Sequence, residues 1–97
     1  MVDNEKRLLT QTSDLLQRLI NEAKYYERRN KEVYENLNAA VIALKNVIEL
    51  IKKRNYKQAL KGINHVKDLI LATEFDKRNH LIAISLIKSF CEKLAYS

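Results

Sequence analysis

The sequence of 97 residues contains one glycine, one cysteine, no proline and no tryptophan. A P-loop and a glycine-rich dinucleotide cradle are excluded, because each needs several glycines at fixed spacing. The single cysteine excludes an intramolecular disulfide and a cysteine-based zinc cluster, which suits a reducing compartment. The near-absence of proline and glycine also removes the usual turn residues of β-hairpins, so an all-β fold is disfavoured.

Long apolar runs are missing as well. The longest uncharged runs, residues 36–44 and 79–87, fall far short of the ~20 residues that cross a bilayer. Residues 1–7 mix acids with bases and hold no apolar stretch, so we expect no secretory signal there. We therefore expect a cytoplasmic protein without membrane insertion.

Apolar residues recur at steps of three and four along the chain, the spacing of helices with one buried face. The pattern predicts helices at residues 4–28, 32–53, 56–72 and 74–95 with short connections. Short connections make consecutive helices antiparallel neighbours, so we predict an all-α antiparallel bundle, a single domain over residues 1–97. The alternative has three helices: the first two would form one helix of ~75 Å, at ~1.5 Å per residue, stabilised by dimerisation.

Polar residues mark the predicted helix ends. Six of them interrupt the apolar pattern before Val33, which predicts a break near residues 29–31. Asn55 follows three cations and tolerates the left-handed conformation that ends many helices. Thr73 and Asp76 resemble a capping box, which predicts that the last helix begins at Glu74.

Positive charge is concentrated in one stretch. Residues 1–44 and 68–97 are each neutral overall, so the entire net charge of +6 lies in residues 45–67. Such a focus attracts phosphates or an acidic protein surface, although the same lysines could simply be a solvated face. The residues that we predict to contact an anionic surface or nucleic acid are Lys45, Lys52, Lys53, Arg54, Lys57 and Lys61.

The last predicted helix is apolar on nearly every side between residues 81 and 87. A helix of this kind is either central in its domain or covered by a partner. We predict that Leu81, Ile84 and Ile87 contact a partner protein.

Residues that could carry chemistry are few. His65 and His80 each have one aspartate at helical spacing, Asp68 and Asp76, which is short of a zinc ligand set. Cys91 has no identifiable base, and the acids of residues 22–35 are interleaved with cations. We therefore expect no enzymatic activity, no catalytic residue, no metal and no cofactor.

The junction at residues 55–60, NYKQAL after Lys-Lys-Arg, resembles the turn of tetratricopeptide and MIT-type helical hairpins. In size, charge and helical character the chain is similar to the small accessory subunit of crenarchaeal B-family DNA polymerase holoenzymes. That resemblance implies a non-enzymatic adaptor that binds a larger protein, such as a DNA-replication or other nucleic-acid-processing enzyme. Two alternatives stay open: a bacteriocin-immunity-type four-helix bundle, and a homodimer that binds DNA nonspecifically.

Overall fold

The computed structural model describes residues 3–97. Within them lie helices α1 (Asn4–Tyr26), α2 (Lys31–Lys52), α3 (Tyr56–Leu71) and α4 (Arg78–Ala95). α1 packs against α2 and α4, and α3 packs against the same two helices. Consecutive helices are antiparallel, and the contact between α1 and α4 completes an up-down-up-down bundle. The predicted all-α bundle of four helices is confirmed.

The predicted break between the first two helices is also confirmed. The backbone amides of Arg29 and Asn30 both donate to the carbonyl of Tyr26, at 3.0 and 2.9 Å, and turn the chain back. The longest dimension of the bundle is 44 Å, well below the ~75 Å of a helix continuous from residue 4 to 53.

Side chains at the starts of α1 and α2 satisfy free backbone amides. The Asp3 carboxylate accepts from the amides of Glu5 and Lys6, at 3.0 and 3.3 Å. The Asn30 side-chain oxygen accepts from the amide of Val33 at 3.2 Å. Because the first amides of a helix have no intrahelical partner, these bonds fix where both helices begin.

The turn after α2 differs from the prediction in one residue. Arg54, and not Asn55, takes the left-handed conformation, with φ 59°. The amide of Asn55 donates to Leu50 and that of Arg54 to Ile51, both at 2.9 Å, which is a Schellman motif. In that motif the left-handed residue is the one after the C-cap, and the C-cap here is Lys53.

The predicted start of the last helix is wrong by one turn. Thr73 follows the C-cap of α3, and its hydroxyl donates back to the carbonyl of Leu69 in that helix at 2.7 Å, so it does not cap α4. The Asp76 carboxylate accepts instead from the amide of Arg78, at 3.4 Å, where α4 begins.

All four helices contribute to one core. Its largest fully buried side chains are Leu8, Leu15, Leu19, Leu37, Leu44, Val47, Ile51, Ile63, Val66, Ile70 and Ile87. Thr12 lies among them, and its hydroxyl donates to the carbonyl of Leu8 at 2.6 Å, so no polar group is stranded there. Gly62 allows α3 to approach Val47 of α2 closely.

Candidate functional site

The cations of the predicted basic patch do not all lie on one surface: Arg54 and Lys57 line a common pocket, whereas Lys45 lies elsewhere. Lys45 lies on the side of α2 that faces α1, next to Leu16. Lys57 and Lys61 lie one helical turn apart on the side of α3 that faces α4. Lys45 therefore does not line the groove that contains the other two lysines.

The turn between α2 and α3 carries the remaining predicted cations. Lys52 Nζ lies 3.9 Å from Glu49, and Arg54 Nε lies 3.8 Å from Glu5 of α1. Lys53, the C-cap of α2, is exposed. The acids beside Lys52 and Arg54 weaken the attraction of these two cations for an outside anion, although exposed pairs of this kind are weak.

The groove between α3 and α4 brings lysines of two helices together. Lys57 and Lys61 of α3 face Lys88 of α4 across it. The other side chains that line this groove are Gln58, Leu60, Asn64, Glu92 and Tyr96. We call this set the lysine groove. With three lysines and one carboxylate, it has the composition of a site for an anion with several oxygens.

The three lysines of the groove are unpaired among residues 3–97. No salt bridge within 4.0 Å joins Lys57, Lys61 or Lys88 to a carboxylate in this range. Lys57 and Lys61 are exposed, and Lys88 is half-buried. Like charges held together raise the local positive potential and attract phosphates or carboxylates.

The helix dipole of α3 adds to this potential. α3 begins at Tyr56, and its first turn contains Lys57 but no acid. The Asn55 side chain does not cap this end of the helix. An uncapped helix start carries a partial positive charge, so a cation there is disfavoured in the free protein and an incoming anion is favoured.

Tyr96 supplies the groove with an aromatic surface. Its side chain is 72% exposed, and the Lys57 Nζ lies 5.9 Å from the ring centroid. An exposed ring beside cations can stack on a flat ligand and contribute to binding. Neither Tyr96 nor Lys88 was predicted as a site residue, because the charge of residues 68–97 cancels and both residues meet α3 only through contacts between helices.

The predicted apolar contact surface needs correction. Ile84 and Ile87 are buried in the core, and Leu81 is half-buried against it. The exposed apolar side chains of α4 are Ile82, at 63%, and Leu86, at 43%. Both sets fit helical spacing, and only the neighbouring helices decide which of them faces inward.

Leu86 and the half-buried Phe90 line a second groove, between α4 and the start of α1. Its opposite wall is polar and includes Arg7, Thr10 and Gln11. Ile82 precedes Leu86 by one helical turn, so the three apolar residues form a stripe along α4. We call Ile82, Leu86 and Phe90 the apolar stripe.

His80 contacts Glu22 of α1, an acid distant in the sequence, in addition to having Asp76 four residues before it. The His80 Nε2 lies 3.3 Å from a carboxylate oxygen of Glu22. The centroids of the His80 and Phe75 rings are 5.6 Å apart. The imidazole is buried, whereas His65 on α3 is exposed. The His80–Glu22 contact therefore joins the start of α4 to the end of α1. Residues 3–97 contain no cluster of three or more metal-binding side chains.

Cys91 is fully buried where α4 packs against the start of α3. Its thiol donates to the carbonyl of Tyr56 at 3.4 Å. Burial disfavours the charged thiolate, with a smaller effect of Glu92, and raises the pKa of Cys91 to about 11. A thiol with such a pKa is an unreactive part of the core.

No family model, curated protein or solved structure matches the chain. Among residues 3–97, no helix combines the length and the apolar character that crossing a bilayer requires. The fold and the surface define an up-and-down helical bundle with a lysine groove on one side and an apolar stripe on another.

Proposed function

We propose that this protein is a non-enzymatic helical accessory subunit that binds a larger protein and holds the lysine groove against an anionic surface. The convergence of Lys57, Lys61 and Lys88 from two helices on one groove carries this proposal. Lysines held together repel one another in the free protein and are attracted to an anion that enters. Their placement therefore supports binding more directly than it supports folding.

The apolar stripe supports a protein partner. Ile82 and Leu86 are exposed side by side, and the α1 wall next to Leu86 is polar. Apolar side chains rimmed by polar ones are typical of the buried centre of protein–protein interfaces. The stripe lies on the α1 side of α4 and the lysine groove on the α3 side, so one α4 helix could present both to neighbouring molecules.

The resemblance to a DNA polymerase accessory subunit supplies the class of partner in this proposal. An enzyme that holds DNA offers an apolar protein surface and, next to it, a line of phosphates. A small subunit with both kinds of surface would contact the enzyme through one and the phosphates through the other, without making base-specific contacts.

The partner is tested by affinity capture with the tagged chain from a nuclease-treated lysate of its source organism. Ile82→Ser is compared with Ile42→Ser, which removes a similarly exposed isoleucine from α2, 69% exposed against 63%. We expect wild type and Ile42→Ser to retain one stoichiometric protein that Ile82→Ser loses. Capture that is unchanged by Ile82→Ser would contradict the role of the stripe.

The anionic contact is tested by charge reversal. Lys57→Glu with Lys61→Glu is compared with Lys24→Glu with Lys45→Glu, which changes the net charge equally on exposed sites away from the lysine groove. We expect only the first pair to weaken the binding of nucleic acid that is added back to the captured complex, and to do so most at low salt. An empty capture with every variant would contradict the accessory-subunit proposal and favour the immunity-type alternative.

A further inference from the structure

We propose that the lysine groove binds single-stranded nucleic acid, with Lys57, Lys61 and Lys88 on successive phosphates and Tyr96 stacked on a base. This inference rests on the proposed function only for the location of the anionic surface, and it names the polymer that occupies it. Two kinds of contact, cationic and aromatic, meet in one groove and carry the inference.

The lysines match a flexible polyanion. Lys57 and Lys61 are one turn apart, so their Cβ atoms are separated by about 5–6 Å along the groove. Lys88 approaches from the opposite wall. The long stems of lysine let each amine reach a phosphate without fixing its exact position, which suits a backbone that bends to follow the groove.

Tyr96 distinguishes nucleic acid from an acidic protein. A carboxylate would contact the lysines but not the Tyr96 ring. A base, in contrast, can stack on that ring, because Tyr96 is 72% exposed. The ring is also held beside a phosphate site, because the Lys57 Nζ lies 5.9 Å from its centroid. In single-stranded binders a cationic groove and a stacking platform occur together in this way.

The size of the groove favours a single strand over a duplex. The two helix axes that form its walls are about 8–10 Å apart, as for packed helices in general. The entire bundle is only 21 × 19 Å across, and a flexible single strand can follow so small a surface more closely than a stiff duplex can. In addition, the base that stacks on Tyr96 must be unpaired.

Glu92 is the one carboxylate in the lining of the groove. It repels phosphate and reduces the positive charge that the three lysines supply. If the strand passes through the groove, Glu92→Gln should tighten binding by about twofold or more. A purely structural effect of this exposed residue would leave the affinity unchanged.

Fluorescence anisotropy with a labelled oligothymidylate tests the inference. A length of about 15 nucleotides lies within the range of known single-stranded sites. Three phosphate contacts give a log–log salt slope of about −2, so raising the salt fourfold weakens binding by about 15-fold. We expect Tyr96→Ala to weaken binding by about tenfold and Tyr96→Phe to restore it. Tyr25→Ala, at an exposed tyrosine on α1, is the matched control and should leave binding unchanged.

Three results would overturn the inference. The first is no binding at low salt, and the second is equal binding of a duplex with no effect of Tyr96→Ala. The third is competition by polyglutamate as strong as by the unlabelled oligonucleotide, which would identify an acidic protein as the occupant. Circular dichroism of each variant shows that the fold is retained.

The two proposals fail separately. If the oligonucleotide does not bind but Ile82-dependent capture of a protein survives nuclease, the accessory subunit stands without this site. If Tyr96-dependent binding is observed and no protein is captured, the lysine groove is a nucleic-acid site and the accessory role is wrong.

Discussion

Replacing Gly62 by alanine tests how closely α3 packs against α2. A Cβ atom added at Gly62 would lie 2.6 Å from Cγ2 of Val47. Carbon atoms pack best at about 3.5–4.0 Å, so the new methyl group would overlap the valine by roughly 1 Å. Val47 is fully buried and its side chain is stiff in a helix, which leaves it little room to withdraw.

Two effects of opposite sign decide the outcome. Alanine is the better helix former, which would stabilise the protein by about 1 kcal/mol. Overpacking a well-filled core costs about 1–3 kcal/mol. We expect the clash to exceed the gain, so that Gly62→Ala lowers the free energy of unfolding by about 1 kcal/mol and the Tm by about 4–8 °C.

A double-mutant cycle with Val47→Ala, measured by urea denaturation, isolates the clash. Val47→Ala removes Cγ2, so in that background Gly62→Ala should stabilise the protein by about 1 kcal/mol. The coupling between the two sites would then be about 2 kcal/mol. If Gly62→Ala stabilises the wild type as much as it stabilises Val47→Ala, the close approach of α3 to α2 is wrong.

Further predictions concern single groups. Because its pKa of about 11 stands above the ordinary 9.0, Cys91 should be alkylated at pH 8 at least ~100-fold more slowly in the native protein than in denaturant, as followed by mass spectrometry. Because the pKa of Cys91 is raised only in the folded protein, the thiol loses its proton at a lower pH in the unfolded state than in the folded state. The contribution of Cys91 to stability is therefore complete below pH 9 and lost as the pH rises towards 11, which unfolding curves across that range would detect. Asn30→Ala should cost about 1 kcal/mol in urea denaturation, whereas Asn55→Ala should be nearly neutral, since only Asn30 caps its helix with a side-chain bond. Arg54→Gly should raise the urea midpoint by the equivalent of about 0.5–1 kcal/mol, because glycine adopts the left-handed φ of 59° without steric cost; a lower midpoint would show that the Arg54–Glu5 pair matters more.

Most of the fold could be predicted from the spacing of apolar and polar residues along the chain. The spacing of apolar residues placed all four helices, and α2 and α3 end within one residue of the predicted bounds. The break after Tyr26 and the turn at Arg54 lie where polar residues interrupt the apolar pattern. The predicted start of α4 was wrong, because the Thr73 hydroxyl donates to Leu69 of α3 and does not cap α4. A capping pattern in the sequence does not show which of the two helices the threonine hydroxyl will contact.

The sequence by itself determined the helical class, the net positive charge and the stretch that carries it, because these properties depend on spacing and composition along the chain. Only the tertiary structure decided which charges act together. It separated Lys45 from Lys57 and Lys61, brought Lys88 and Tyr96 to them from α4, and buried Ile84 while exposing Ile82. The physical reason is that a helix has several faces of similar composition, and which face meets solvent depends on the helices packed beside it.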